Sequence, residues 1–148
     1  MRGGSRGRLR LEVSLHVHAT EDEEGVRRSL ERILGIRRDE VERVQLTGHH
    51  GNPVVVLSAT LMDERALDVL RSVLRGMDAA ERDIVRRSLE EMSDERGRIY
   101  IRLDKQGLVL GRIRMGREDP VRIVLSSGSG RAEAAELVLG MLDEVSRE

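Results

Sequence analysis

Arg8-Leu9-Arg10-Leu11-Glu12-Val13-Ser14-Leu15-His16-Val17-His18 alternates polar and apolar residues over eleven positions without a break. A period of two is the signature of a strand with one buried face, so Leu9, Leu11, Val13, Leu15 and Val17 are expected to point into a core. Thr20-Glu21-Asp22-Glu23 follows and reads as a capping box, with Thr20 as N-cap and Glu23 reaching back. Val26, Leu30, Ile33 and Leu34 then supply the apolar stripe of a helix that Gly35 ends. A strand followed by a capped amphipathic helix sets the theme for the whole chain.

Working outward, residues 41–47 and 54–61 read as two strands joined by Gly48-His49-His50-Gly51-Asn52-Pro53. Asp63 is placed to cap a helix carrying Leu67, Leu70, Val73 and Leu74, which stops near Gly76. Asp78 and Glu81 form a second capping-box candidate, opening a helix to about Met92. Three short strands are expected near 98–104, 108–115 and 121–125, the first two joined by a type I turn at Asp104-Lys105-Gln106-Gly107. A final helix from near Ser129 places Ala134, Val138, Met141, Leu142 and Val145 on one side. The order is β-α-β-β-α-α-β-β-β-α. It predicts a single α+β domain over 8–148, a mostly antiparallel six-stranded sheet with four helices on one face. Residues 1–7, rich in Gly and Arg, are expected to be a disordered basic tail.

Composition narrows the function. The chain has 148 residues, 26 basic and 27 acidic, with a net charge of −1 and a mean hydropathy of −0.40. A chain of this mass buries about two thirds of its unfolded surface, enough for a real core. No apolar run approaches the ~18 residues of a membrane span, which excludes an integral membrane protein. No apolar segment follows the basic N-terminus as in a secretory signal, so a cytoplasmic protein is expected. With no cysteine, disulfides, thiolate metal sites and cysteine nucleophiles are excluded together. Lys105 is the only lysine and Tyr100 the only aromatic residue. Arginine enrichment of this kind occurs in some thermophile families, and without aromatics a ligand site has few stacking platforms.

If each strand turns its apolar alternation toward the helices, the opposite face carries Arg8, Arg10, Arg43, Arg98, Arg102, Arg112, Arg114 and Arg122, with Glu12 as its one acid. Tyr100, Gln45 and Thr47 fall on the same face, and Lys105 sits at the tip of the Asp104–Gly107 turn. An arginine-covered, acid-poor sheet suits a nucleic-acid backbone, because guanidinium is weakly hydrated and binds phosphate bidentately. The same pattern also occurs on a solvated face paired with neighbouring acids.

The four histidines suggest a second site. His16 and His18 point the same way, roughly 7 Å apart along one strand, and His49 and His50 occupy the neighbouring hairpin loop. A metal-dependent hydrolase is one reading of them, although no HExxH or similar spacing supports it. His18-Ala19-Thr20 matches the H-x-T of two-histidine phosphoesterases, but the required second copy is missing. There is no phosphate-binding glycine loop, so no cofactor, metal or catalytic residue is expected. The acids Glu21 to Glu24 suit a helix start without any ligand.

Three ordered blocks, His18-Ala19-Thr20-Glu21-Asp22-Glu23, Gly48-His49-His50-Gly51-Asn52-Pro53 and Tyr100-Ile101-Arg102-Leu103-Asp104-Lys105-Gln106, resemble an archaeal family of predicted RNA-binding proteins, also described as predicted exosome subunits. The resemblance runs over nearly the whole chain from Arg8. It implies a fold like that of ribosomal large-subunit protein five, structured RNA as partner, and a setting in RNA processing or at the ribosome. A protein-interaction module, or a homodimer joined through its sheet, is the expectation from the other class.

Overall fold

The computed structural model describes residues 8–148; the tail expected at 1–7 lies outside them. Five strands form one antiparallel sheet: β1 (Leu9–His18), β2 (Glu42–Thr47), β3 (Pro53–Met62), β4 (Ile99–Leu103) and β5 (Val121–Ser127), in the spatial order β2-β3-β1-β5-β4. Five helices accompany them: α1 (Glu23–Leu34), α2 (Asp63–Gly76), α3 (Ala79–Ser88), α4 (Lys105–Val109) and α5 (Glu133–Ser146).

The eleven-residue alternation behaves as its chemistry requires. Leu11, Val13, Leu15 and Val17 are buried, whereas Arg10, His16 and His18 are exposed. Leu57, Leu61, Ile99, Ile101, Ile123 and Leu125 extend this buried face across the sheet, and Val69, Leu70, Val73, Leu74, Val138 and Leu142 of α2 and α5 close over it. Burying one such aliphatic side chain stabilises the fold by about 1.5–3 kcal/mol, so an aliphatic core suffices without aromatics.

The helix starts differ from the capping pattern. Asp22, not Thr20, occupies the N-cap of α1, and Glu23 binds Arg43 and Arg27 instead of reaching back. Asp63 adopts a positive φ of 51° and gives its carboxylate to the Arg8 guanidinium and the Leu9 N–H. Asp78 does cap α3, accepting from the Glu81 N–H at 2.8 Å, while Glu81 itself accepts from the Met115 N–H at 3.0 Å.

Five strands and five helices replace the six and four expected, and the difference lies at 104–116. Asp104 is the N-cap of α4 and its carbonyl accepts from the Leu108 N–H at 3.0 Å. Leu108 is buried, but Val109 and Leu110 are 42% and 72% exposed, so the apolar run has no alternating face. Gly111, at φ +85°, then turns the chain back. The end of this segment meets β4 at an isolated bridge between Met115 and Leu103, beside which the Gly116 N–H donates to the Arg102 carbonyl.

Candidate functional site

The open face of the sheet follows from the register. Directly opposed residues of an antiparallel pair share a face. Ser14 lies opposite Arg122, and Arg122 opposite Arg102. One row along the strands, Glu12 lies opposite Val124, and Val124 opposite Tyr100. At the other end of the sheet, Val44 and Leu46 of β2 face Val56 and Val54 of β3.

That register redistributes the expected arginines. Arg43 opposes the buried Leu57, so it belongs to the helix side, and both ends of its guanidinium bind Glu23, at 2.9 and 3.2 Å. Gln45 and Thr47 share that side. Their places on the open face are taken by Val44 and Leu46, 51% and 52% exposed. Arg112 is carried away as well: Ile113 packs against Gly76 at the end of α2, and Gly111 lies beside Arg32 and Ile33 of α1. With no strand at 108–115, no hairpin sets Arg112 and Arg114 across from Arg98 and Arg102.

Most remaining arginines already hold an acid. Arg8 pairs with Asp63 at 3.0 Å, Arg10 with Glu12 at 3.2 Å and Arg114 with Asp104 at 3.3 Å. Arg98 is bound at 2.6 Å by Asp94, which also accepts from the Tyr100 hydroxyl and from the N–H groups of Arg96 and Arg98. Gly97, at φ +82° and with the Arg131 carbonyl where a Cβ would project, lets this turn close. Among the described residues, Arg102 and Arg122 stand opposite each other with no carboxylate partner for either.

Partial burial works against the Asp94 carboxylate, but the Arg98 guanidinium and the other donors outweigh it and hold the carboxyl at about 2, below the ordinary 3.8. A folded value below the unfolded one stabilises the protein at every pH above the unfolded value, and the contribution is lost as pH falls toward the folded value. Asp94→Asn is expected to lower the melting temperature at neutral pH and to shrink the further loss between pH 4 and pH 2. Thermal melts across that range check it; an unchanged acid limb would show that Asp94 does not set it.

The histidines divide. His18 lines a pocket of about 250 Å³ with His49 and His50, whose rings meet edge-on at 4.7 Å. His16 sits one row away on the open face, opposite Val56, and does not line it. His18 also turns its Nε2 to Asp119, at 3.1 Å.

Beside it lies a group that sequence reasoning placed elsewhere. Lys105 is not exposed at a turn: it is 3% exposed at the start of α4. Its ammonium donates to the His16 carbonyl at 2.7 Å, to Glu21 at 2.8 Å and to Asp119 at 2.5 Å. Burial works against the Glu21 carboxylate, yet the His18 N–H and the Lys105 ammonium hold it below its ordinary value. His18, Glu21 and Asp119 present ligand atoms within 4.8 Å of one another, the spacing of a metal site. The Lys105 ammonium competes with a cation for this set, since it already holds one oxygen of each carboxylate. This cluster ties the end of β1, the approach to α1, α4 and the loop before β5 into one node. It also gathers the first and third sequence blocks of the resemblance, and His18 joins the second. A solitary lysine flanked by distant acids was the available signal.

The sequence model of a family described as RNA binding matches residues 10–127. A protein of Pyrococcus abyssi named RNA-binding protein PAB1135 is 32% identical over 116 residues, 75% of each chain. The uncharacterized protein MJ0213 of Methanocaldococcus jannaschii is 25% identical over 122 residues, covering 78% of this chain and 82% of its own. Among solved structures, Mth689, a DUF54 protein from Methanothermobacter thermautotrophicus, superposes with a TM-score of 0.71 at 28% identity, over 92% of this chain and 98% of that one. The family model spans both the open sheet face and the Lys105 node, and with the Pyrococcus abyssi relative it places the chain in the family described as RNA binding.

Proposed function

We propose that the protein binds structured RNA non-catalytically, meeting its phosphates on the open sheet face around Arg102 and Arg122. The observation that carries this is the opposed pair itself. Like charges directly across an antiparallel pair destabilise it, and neighbouring acids neutralise Arg8, Arg10, Arg98 and Arg114 but not these two. A phosphate over the pair would receive two guanidinium forks and remove the repulsion. With Tyr100 tied to Asp94, base stacking contributes little and recognition rests on shape and backbone. A setting in RNA processing or at the ribosome, which the resemblance implies, belongs to the same proposal.

Ultraviolet crosslinking to a structured RNA, followed by peptide mapping, tests the face. Crosslinks are expected in the peptides carrying residues 98–102 and 121–126. Crosslinks confined to α2 and α5 would contradict it.

A second reading has its own observation. Val44 and Leu46 lie on β2, an edge strand exposed along its length, beside half-buried Val54 and Val56. Exposed apolar edge strands pair with other chains unless protected, so this corner suits a protein contact. Light scattering reads it directly: a Val44→Lys change should dissociate any dimer, and a wild-type protein monomeric at high concentration would end this reading for self-association.

A further inference from the structure

The outer edge of β4 borders a cleft of about 610 Å³. Its floor is backbone. The Tyr100 N–H donates to the Met92 carbonyl at 2.8 Å, and the Arg102 carbonyl accepts from the Gly116 N–H at 3.0 Å. Both residues therefore turn their backbone groups away from β5. In an antiparallel strand this also directs the Tyr100 carbonyl and the Arg102 N–H outward, between those two bonds. Neither has a partner among the described residues. The cleft thus offers one free acceptor and one free donor, closed at either end by segments already bonded to β4.

The walls are of another kind. Met92 comes from one flank and Met115 from the other, with Ile84 of α3, 40% exposed, above them. Thioethers adapt to flat rings, which matters in a protein almost without aromatics. The rim carries Arg102 and Arg117, both without a carboxylate partner among the described residues, together with Glu91 and the Ser88 hydroxyl. The lining is thus mixed, three apolar side chains beside several polar groups, and small-molecule sites likewise combine apolar walls with a few placed polar groups.

We propose that this cleft receives one unstacked nucleobase of the bound RNA. Its ring lies between Met92 and Met115, and its hydrogen-bonding edge meets the Tyr100 carbonyl and the Arg102 N–H. Its flanking phosphates rest on Arg102 and Arg117. Arg102 thereby joins the cleft to the open sheet face, so the inference rests on the RNA-binding reading and adds single-stranded recognition to it. An added peptide strand fits less well, because the floor is capped at both ends and could pair with only one residue, while the unpaired rim arginines favour an anion.

The test compares a blunt RNA duplex with a hairpin of the same stem and an unpaired loop, using the wild-type chain and Ser88→Phe, which narrows the slot from a half-exposed helix position. The wild type is expected to prefer the hairpin. Ser88→Phe should weaken hairpin binding about tenfold, within the range for one base contact, and leave duplex binding unchanged. Titrating wild-type protein with adenosine, guanosine, cytidine and uridine 5′-monophosphates should shift the Arg102 amide resonance with at least one of them, independently of how the variant folds. If the duplex binds but the loop adds nothing and the Arg102 amide stays still, the cleft proposal falls and the sheet-face reading stands. If neither RNA binds, the RNA-binding reading itself fails.

Discussion

Replacing Lys105 with Met is expected to lower the melting temperature by on the order of 5–10 °C without changing the fold class. The side chain is 3% exposed and its ammonium is the shared counter-charge of Glu21 and Asp119. Removing one member of a fully buried ion cluster costs about 3–5 kcal/mol. Here Asp119 is 41% exposed, so water screens part of the stranded charge and about 2–3 kcal/mol is the appropriate figure. The loss also frees the His16 carbonyl and loosens α4 from β1. Adding Glu21→Gln to Lys105→Met removes one of the stranded carboxylates and should recover part of the loss. A Lys105→Met protein melting with the wild type would show that the node is held by packing instead.

The second large effect is on binding. Exchanging both Arg102 and Arg122 for Gln removes two like charges that face each other across β4 and β5. The protein should melt at or above the wild-type temperature, since an opposed like-charge pair costs about 0.2–1 kcal/mol. RNA affinity should fall between tenfold and a hundredfold at about 0.1 M salt, because each lost phosphate contact forfeits its counterion release. Greater stability with weaker binding is the mark of a surface shaped for a ligand. Arg27→Gln with Arg28→Gln, on the helix side, should leave affinity unchanged.

The readable parts of the sequence were those in which one physical demand acts alone. In β1, alternation meets a core on one side and solvent on the other, so the pattern fixes both strand and face. The Asp78 cap was legible for the same reason, because it is satisfied three residues away. β2 defeats this logic. Its apolar residues Val44 and Leu46 alternate properly, yet they point to the open face. The phase is set by pairing with β3 and by the Glu23 carboxylate waiting for Arg43, neither of which is local. At Asp104-Lys105-Gln106-Gly107 a turn and a helix start use the same residue types. The choice falls to a helix because Lys105 can then reach Glu21 and Asp119, 84 residues before it and 14 after. With the expected strand at 108–115 gone, β4 takes β5 as its neighbour, and Arg102 meets Arg122 in place of Arg112. Alternation places Arg102 on the open face whichever strand lies alongside.

The salt dependence of RNA affinity is the most direct measurement of the central claim. The slope of log K against log salt should be shallower by about one to two units in the Arg102→Gln/Arg122→Gln protein than in the wild type, with both proteins folded at every salt concentration used. An unchanged slope, or a slope shifted equally by Arg27→Gln with Arg28→Gln, would mean that phosphate does not lie over the Arg102–Arg122 pair.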